Sequence, residues 1–333
     1  MQDTHGHKIS YLRVSITDRC NERCGYCMPS ELQEWLPREG VLSYEEILRV
    51  VGIAAGIGIT KVRVTGGEPL TRRDIIPFLG RLCSIAGISE VGVSTNGTLL
   101  SKTVPGFATT AGALVAAGVR SVNISLDTLD SEAYAATTGR DYFGRVMSGI
   151  NDALGAGFER IKLNAVLMRG RSEGQLLPLV EFANEKGLLL RFIELMPVST
   201  GDVLSESSFF PTATARRSLE EVFGNLQPRA DFKTNGPASY FAVPGRDQLV
   251  GFIGAMTNLH FCETCNKLRL TCDGKLRPCL GSHLEFDLMK EIRGGASDKQ
   301  IVEFIEHVVR RKPMEHDFRE NYQPGRKMIA IGG

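Results

Sequence analysis

The chain has 333 residues, 42% of them hydrophobic and 23% charged, with a formal net charge of +1 at pH 7. This is the composition of a globular protein with one large α/β domain or two domains. Near-neutral charge argues against a nucleic-acid or membrane-surface binder, and no apolar run is long enough to read as a transmembrane helix.

In chain order, residues 1–8 are polar, lack the apolar core of a signal peptide and read as a frayed tail carrying His5 and His7. A cytoplasmic protein is expected. Strand-like runs follow at 11–17, 61–65, 90–95, 121–126, 160–167 and 189–195, with helical patterns between them. Ser43-Tyr-Glu-Glu46 and Ser172-Glu-Gly-Gln175 predict capping boxes, and helices are expected near 73–86, 106–117, 130–138 and 142–156. Strand–helix alternation with long connections predicts an α/β fold of parallel strands, a partial (β/α)6 TIM-like barrel. Beyond it, 198–211 reads as a loop, Ser218-Leu-Glu-Glu221 as the cap of a short helix, and 240–243 and 249–253 as strands around a Pro-Gly turn. Asp273-Gly274 marks a hairpin, and Ser297 opens a final helix to about residue 311. The expected division is a core of 1–211 and a C-terminal extension of 212–333.

The strands alternate in character. Arg13, Ser15 and Thr17 share one face of the first, Arg63 and Thr65 one face of the second, Asn123 and Ser125 one face of the fourth, and Lys162 and Asn164 one face of the fifth. Parallel strands covered on both sides usually read as continuous apolar runs. One apolar and one polar, basic face predicts an open barrel with a polar lumen; the other reading is a sheet with a solvated face. Chemistry in such barrels sits at the carboxyl ends of strands. The special loops fall there: a cysteine loop after the first strand, Gly66-Gly-Glu-Pro69 after the second, Ser94-Thr-Asn-Gly97 after the third, Asp127 after the fourth and Glu194-Leu-Met-Pro197 after the sixth. Paired glycines there permit close backbone approach of a ligand.

Seven of the eight cysteines fall in two groups, which in a long chain without a leader suits metal rather than disulfides. Cys83 stands apart and reads as a small buried hydrophobe. Cys20, Cys24 and Cys27 follow C-x3-C-x2-C. Three thiolates can cap three corners of a four-iron cubane and leave the fourth open to a small molecule. The alternative is a zinc knuckle with a ligand from elsewhere. Cys262, Cys265 and Cys279 follow C-x2-C-x13-C, with Cys272 between. Either all four close a zinc or cluster site, or three hold a second open cluster. Lys267, Arg269 and Arg277 beside them suit an anionic substrate.

The first cysteine run, with Tyr26 before its last thiol, resembles the radical SAM signature. Together with Gly66-Gly-Glu-Pro69, the Cys262/Cys265/Cys279 set, the run Leu268–Gly274 and the terminal Gly332-Gly333, the chain resembles the MoaA family, the GTP 3′,8-cyclases of molybdenum-cofactor biosynthesis. The resemblance implies two [4Fe–4S] clusters at opposite ends of a shared cavity, with S-adenosylmethionine on the first. A 5′-deoxyadenosyl radical would take the ribose 3′ hydrogen of GTP, and the carbon radical would add to carbon 8 of the base. The product, 3′,8-cyclo-7,8-dihydro-GTP, would pass to a MoaC-type cyclic pyranopterin monophosphate synthase.

The resemblance further assigns Tyr26, Gly67, Ser125 and Met196 to S-adenosylmethionine. It assigns Arg13, Arg63, Ser94, Lys162, Lys267 and Arg269 to GTP. Asn164, Arg191, Gly332 and Gly333 are weaker candidates, the glycines threading a narrow cavity without side chains. Lys267 stands where the family usually has arginine. The resemblance also implies a reductant protein as partner and leaves room for a homodimer. Two other readings stay open: a radical SAM peptide-modifying enzyme with an auxiliary cluster, and a zinc-binding scaffold without catalysis.

Overall fold

A computed structural model describes residues 1–28, 34–198, 205, 207–320, 322, 325–326 and 328–332. The elements in chain order are β1 (Tyr11–Ser15), α1 (Tyr44–Gly56), β2 (Lys61–Thr65), α2 (Ile75–Cys83), β3 (Glu90–Thr95), α3 (Thr110–Ala116), β4 (Ser121–Ser125), α4 (Ser131–Thr138), α5 (Phe143–Ala156), β5 (Arg160–Leu167), α6 (Leu176–Glu185) and β6 (Leu189–Glu194). Then come α7 (Thr212–Phe223), β7 (Gln227–Pro228), β8 (Ser239–Ala242), β9 (Leu249–Ile253), β10 (Lys267–Leu270), β11 (Lys275–Arg277), β12 (Phe286–Asp287), α8 (Leu288–Arg293), α9 (Asp298–Arg310) and α10 (Met328–Ile331).

All strands form one sheet in the order β12-β11-β10-β1-β2-β3-β4-β5-β6-β9-β8-β7. The six expected strands are parallel neighbours at its centre. The C-terminal extension adds a parallel strand at each edge, β10 beside β1 and β9 beside β6, each followed outward by antiparallel strands. The alternating pattern explains the layering. Val14, Val64, Val93, Ile124 and Leu163 point away from the polar face into one large core shared with the helices. The polar face is buried too: Ser15, Arg63, Asn123, Lys162 and Arg191 are all nearly inaccessible.

Local signals succeed at α1 and α9. Ser43 and Glu46 form a capping box, as do Ser297 and Gln300. Glu46 also takes Arg293 of α8, while Arg49 pairs with Asp298, so the first helix anchors the extension. Elsewhere competing contacts win. Ser172 accepts from the Met168 N–H and Gln175 from the Leu129 N–H, so no capping box opens α6. Ser218 lies inside α7, which starts at Thr212 instead. The N-terminal residues are not frayed: His7 Nδ1 meets Asp3 at 2.7 Å, Gln2 bridges Lys8, and the terminal amine donates to Ile57. A short helix, α10, follows the one expected to be last. Of the loop 198–211, residues 199–204 and 206 lie outside the described residues, as do Pro29 and Gly333. No described helix is long and apolar enough to cross a membrane.

Candidate active site

Topology alone sends the two cysteine sets to opposite ends of the barrel. Cys20, Cys24 and Cys27 follow β1 and lie at the carboxyl end of the parallel strands. Cys262 and Cys265 precede β10, which runs parallel to β1, and Cys279 follows the antiparallel β11, so all three return to the amino end.

The first set is held by its neighbours' motifs. A single turn brings the Cys27 and Met28 N–H groups to the Cys24 carbonyl at 3.0 and 2.8 Å. Gly67 N–H donates to Thr17 at 2.7 Å and Glu68 N–H to Arg19 at 2.8 Å. A Cβ on Gly67 would stand 2.3 Å from the Arg19 carbonyl oxygen. The close approach these glycines permit here is to the cysteine loop itself, which their backbone holds directly. Glu68 in turn accepts from Thr95 Oγ1 at 2.8 Å and Asn96 N at 2.7 Å, binding the second motif loop to the third. Glu22 takes the Tyr134 hydroxyl, and Asp127 accepts from the Val166 N–H at 2.8 Å.

Burial dominates the electrostatics here. It raises Glu22 and Glu68 to about 7 and Asp127 to about 6. It pushes the Cys20 and Cys27 thiols up to about 12, and nearby carboxylates add to the rise at Cys20. Tyr26 and Ser125 line a small cavity with Cys24 and Asp127. Met196 packs beside Val198, Ala255, Phe318 and Tyr322.

The second set has the opposite surroundings. Burial acts to raise Cys265, but Lys312 and Lys267 outweigh it and the thiol is lowered. Lys312 is buried and donates to the carbonyls of Pro278 at 2.6 Å and Lys267 at 3.2 Å. Nothing in its sequence surroundings marked it. Cys272 is fully buried and does not join this set; its thiol faces Ser15, Asp273 and Asp18. That arrangement favours the three-ligand reading of the spacing.

Between the two ends lies a band of cations. Arg13 is the register partner of both Arg269 and Arg63. Lys267 Nζ lies 5.7 Å from the centre of the Tyr11 ring, one step toward the amino end. Burial lowers Lys162 to about 6, with Arg191 and Arg63 adding repulsion. Burial lowers Arg269 to about 9, helped by Arg13, and Arg191 to about 10. Lys267 is also lowered, first by burial and then by Arg269 and Arg13. Desolvated like charges are costly unless an anion joins them.

Two glycines make the band possible. A Cβ on Gly92 would sit 2.4 Å from Arg63 Nη1, and one on Gly251 would sit 3.1 Å from Arg191 Cγ. Arg63 accordingly lies across β3, donating to Tyr11 Oη at 3.1 Å, Val93 O at 3.1 Å, Ser121 O at 3.3 Å and Ser121 Oγ at 3.0 Å. Arg191 Nε donates to Asn164 Oδ1 at 2.9 Å. Asn123 Nδ2 reaches the Ser94 hydroxyl at 3.4 Å. Gly332 enters from the C-terminus, and its carbonyl accepts from Arg269 at 3.2 Å.

Among the described residues no three His, Cys, Asp or Glu side chains gather around one metal ion. Beyond the effect of burial, Cys27 and Cys20 nevertheless add to the rise at the Cys24 thiol, and Cys279 and Cys265 to the rise at Cys262. Three thiols per set are a donor group suited to iron–sulfur ligation with one open corner.

Fold and site together define a radical SAM enzyme: residues 14–183 match the Radical SAM superfamily. Residues 188–318 match the Molybdenum Cofactor Synthesis C family. A GTP 3′,8-cyclase of Moorella thermoacetica is 41% identical over the whole of both chains, and one of Thermodesulfovibrio yellowstonii is 42% identical over the whole of both. The chain belongs to the GTP 3′,8-cyclase family. Among solved structures, Streptococcus suis SuiB bound to S-adenosylmethionine is similar in fold, with a TM-score of 0.59 at 17% identity, covering 90% of this chain and 75% of that one.

Proposed function

We propose that this chain converts GTP to 3′,8-cyclo-7,8-dihydro-GTP, the first step of molybdenum-cofactor biosynthesis, with a [4Fe–4S] cluster at each end of the barrel. The observation that carries the reading is the buried cation band between the two cysteine sets. Arg13, Arg63, Lys162, Lys267 and Arg269 repel one another in a desolvated lumen, and a triphosphate is the polyanion that relieves them. Full-length relatives named GTP 3′,8-cyclase support the same substrate. A peptide substrate would leave the band uncompensated.

Cys20, Cys24 and Cys27 would hold the first cluster, and Cys262, Cys265 and Cys279 the second. With S-adenosylmethionine bound and one electron from the reductant protein, the first would supply the radical chemistry that takes the ribose 3′ hydrogen. The chain's own residues do the rest. Tyr26, Ser125, Gly67 and Met196 would seat S-adenosylmethionine beside the carboxyl end. Arg13, Lys162, Lys267 and Arg269 would hold the phosphates, with Ser94 on the nucleotide. Arg63 adds charge from its place against the wall, and Arg191 with Asn164 closes the far side. The Gly332-Gly333 tail would sit against the substrate. A reductant protein and a MoaC-type synthase are the partners this reading needs.

Anaerobic reconstitution followed by incubation with reductant, S-adenosylmethionine and GTP tests it. Expected are a brown protein with two four-iron clusters and GTP-dependent release of 5′-deoxyadenosine with cyclised nucleotide. Release that ignores GTP, with no cyclised product, would sink the proposal.

A further inference from the structure

Among the described residues of the C-terminal tail, polar contacts of two kinds stand out. Gly332 lies inside the barrel: a Cβ there would stand 2.8 Å from Thr65 Cγ2 and 2.9 Å from Ser15 Cβ, at φ +82°. Ser15 and Thr65 are two residues beyond Arg13 and Arg63 on the same strand face, so the tail ends beside the cation band. Six residues earlier, Arg326 forms a fork on Asp273 in the turn between β10 and β11. One nitrogen donates to Oδ1 at 3.2 Å and the other to Oδ2. The same guanidinium stands 3.6 Å from Glu285, which also takes Arg277 Nη1 at 2.8 Å. Asp273 is fixed in turn by the Thr271 hydroxyl at 2.6 Å.

Beyond Lys327, residues 328–331 of the tail are apolar. Met328, Ile329 and Ile331 share α10, with both isoleucines buried. Apolar burial is non-directional, so it favours docking without specifying how far the tail inserts. A two-pronged charged pair is directional. With side-chain exposures of 22% for Arg326 and 14% for Asp273, the pair is shielded enough to hold its geometry.

We propose that the Arg326–Asp273 pair is the positioning contact that sets the reach of the C-terminal tail, so that the Gly332 carbonyl meets Arg269. This rests on the reading of the cation band as the GTP site. Arg326 is paired with Asp273 and Glu285 rather than with the cation band, so it acts through the tail and through Arg269.

The test uses the reconstituted full-length holoenzyme and compares it with Arg326→Gln, Asp273→Asn, Arg326→Lys and a chain ending at Ile331. For Arg326→Gln, iron content, melting temperature and GTP-free cleavage of S-adenosylmethionine should stay at the parent values. Cyclised nucleotide formed per 5′-deoxyadenosine should fall about tenfold, the scale of one partly buried charged pair. Amide exchange across 328–332 should speed up. Asp273→Asn should behave alike. Arg326→Lys, which keeps charge but loses the fork, should fall between. In the shortened chain, adding Arg326→Gln should produce no further loss, because the pair acts only through the missing end. A parent-like product ratio for Arg326→Gln, or losses that add in the shortened chain, would overturn the proposal. A parent enzyme with no GTP-dependent turnover would instead overturn the functional reading beneath it.

Discussion

At the carboxyl end of the barrel three cysteines share their surroundings with Glu22, Glu68 and Asp127; at the amino end three cysteines lie beside Lys267, Lys312 and Arg269. The two triads differ less in their thiols than in what is packed against them. Buried carboxylates resist added negative charge and welcome a cation, as a sulfonium is. Buried ammonium and guanidinium groups do the reverse. The lumen is thus polarised along its axis, and on the proposed reading each ligand is directed to its end before any specific hydrogen bond forms.

Breaking the contrast at its root gives the largest effect. Cys24→Ala should abolish 5′-deoxyadenosine formation, whereas Cys279→Ala should roughly halve the iron and keep GTP-free cleavage of S-adenosylmethionine. Iron analysis with product chromatography distinguishes them. Next, Lys162→Met should weaken GTP binding about a hundredfold, as loss of a buried charge-assisted contact does. It should also stabilise the ligand-free protein, since an isosteric apolar side chain removes a buried polar amine that the fold holds largely without its proton at neutral pH. Equilibrium dialysis and thermal melts check the two halves.

A pH series sharpens the comparison further. Lys162 is held at about 6 by burial and by Arg191 and Arg63, below its ordinary range. Above pH 6 the folded, ligand-free chain gives up a proton that the unfolded chain keeps. Its contribution therefore makes stability rise with pH up to the usual lysine range. GTP favours the protonated form, so affinity should move the other way, falling by at most about tenfold per pH unit above 6. Calorimetry in buffers of different ionisation enthalpy should register proton uptake near pH 7.5; no uptake would remove Lys162 from the contact. The smallest effect is expected at Cys272→Ser, which should leave both clusters' iron in place, and loss of iron there would make it a ligand.

The strand pattern and motif loops were legible because each is local. β2, β3 and β5 begin and end where alternation and turn residues place them, and β1, β4 and β6 stop one or two residues early. The cysteine spacings, too, carry their chemistry in a few residues. What escaped is non-local. Nothing in 249–253 or 267–270 says that these segments join opposite edges of one sheet. Glu194 is a further case. Its buried carboxylate accepts from Thr212 N and Oγ1, both at 2.9 Å, and from Met256 N at 2.9 Å and Thr257 N at 3.1 Å, clamping the barrel to the extension. From sequence it was only the first residue of a motif. The packing of the paired glycines against Thr17 and Arg19 is non-local too, since what a glycine's backbone meets depends on a distant segment.

The pairing of β1 with β10 has a consequence for how the molecule is made. Residues 11–14 find their second neighbour only at 267–270, a separation of most of the chain. During synthesis β1 has β2 on one side and a bare edge on the other until nearly the whole polypeptide has emerged. High contact order slows folding, and unpaired edges invite association with other chains. A fragment ending near 211 would keep the six central strands but leave β1 and β6 open on their outer sides. It should aggregate, and cluster assembly should proceed efficiently only on completed chains.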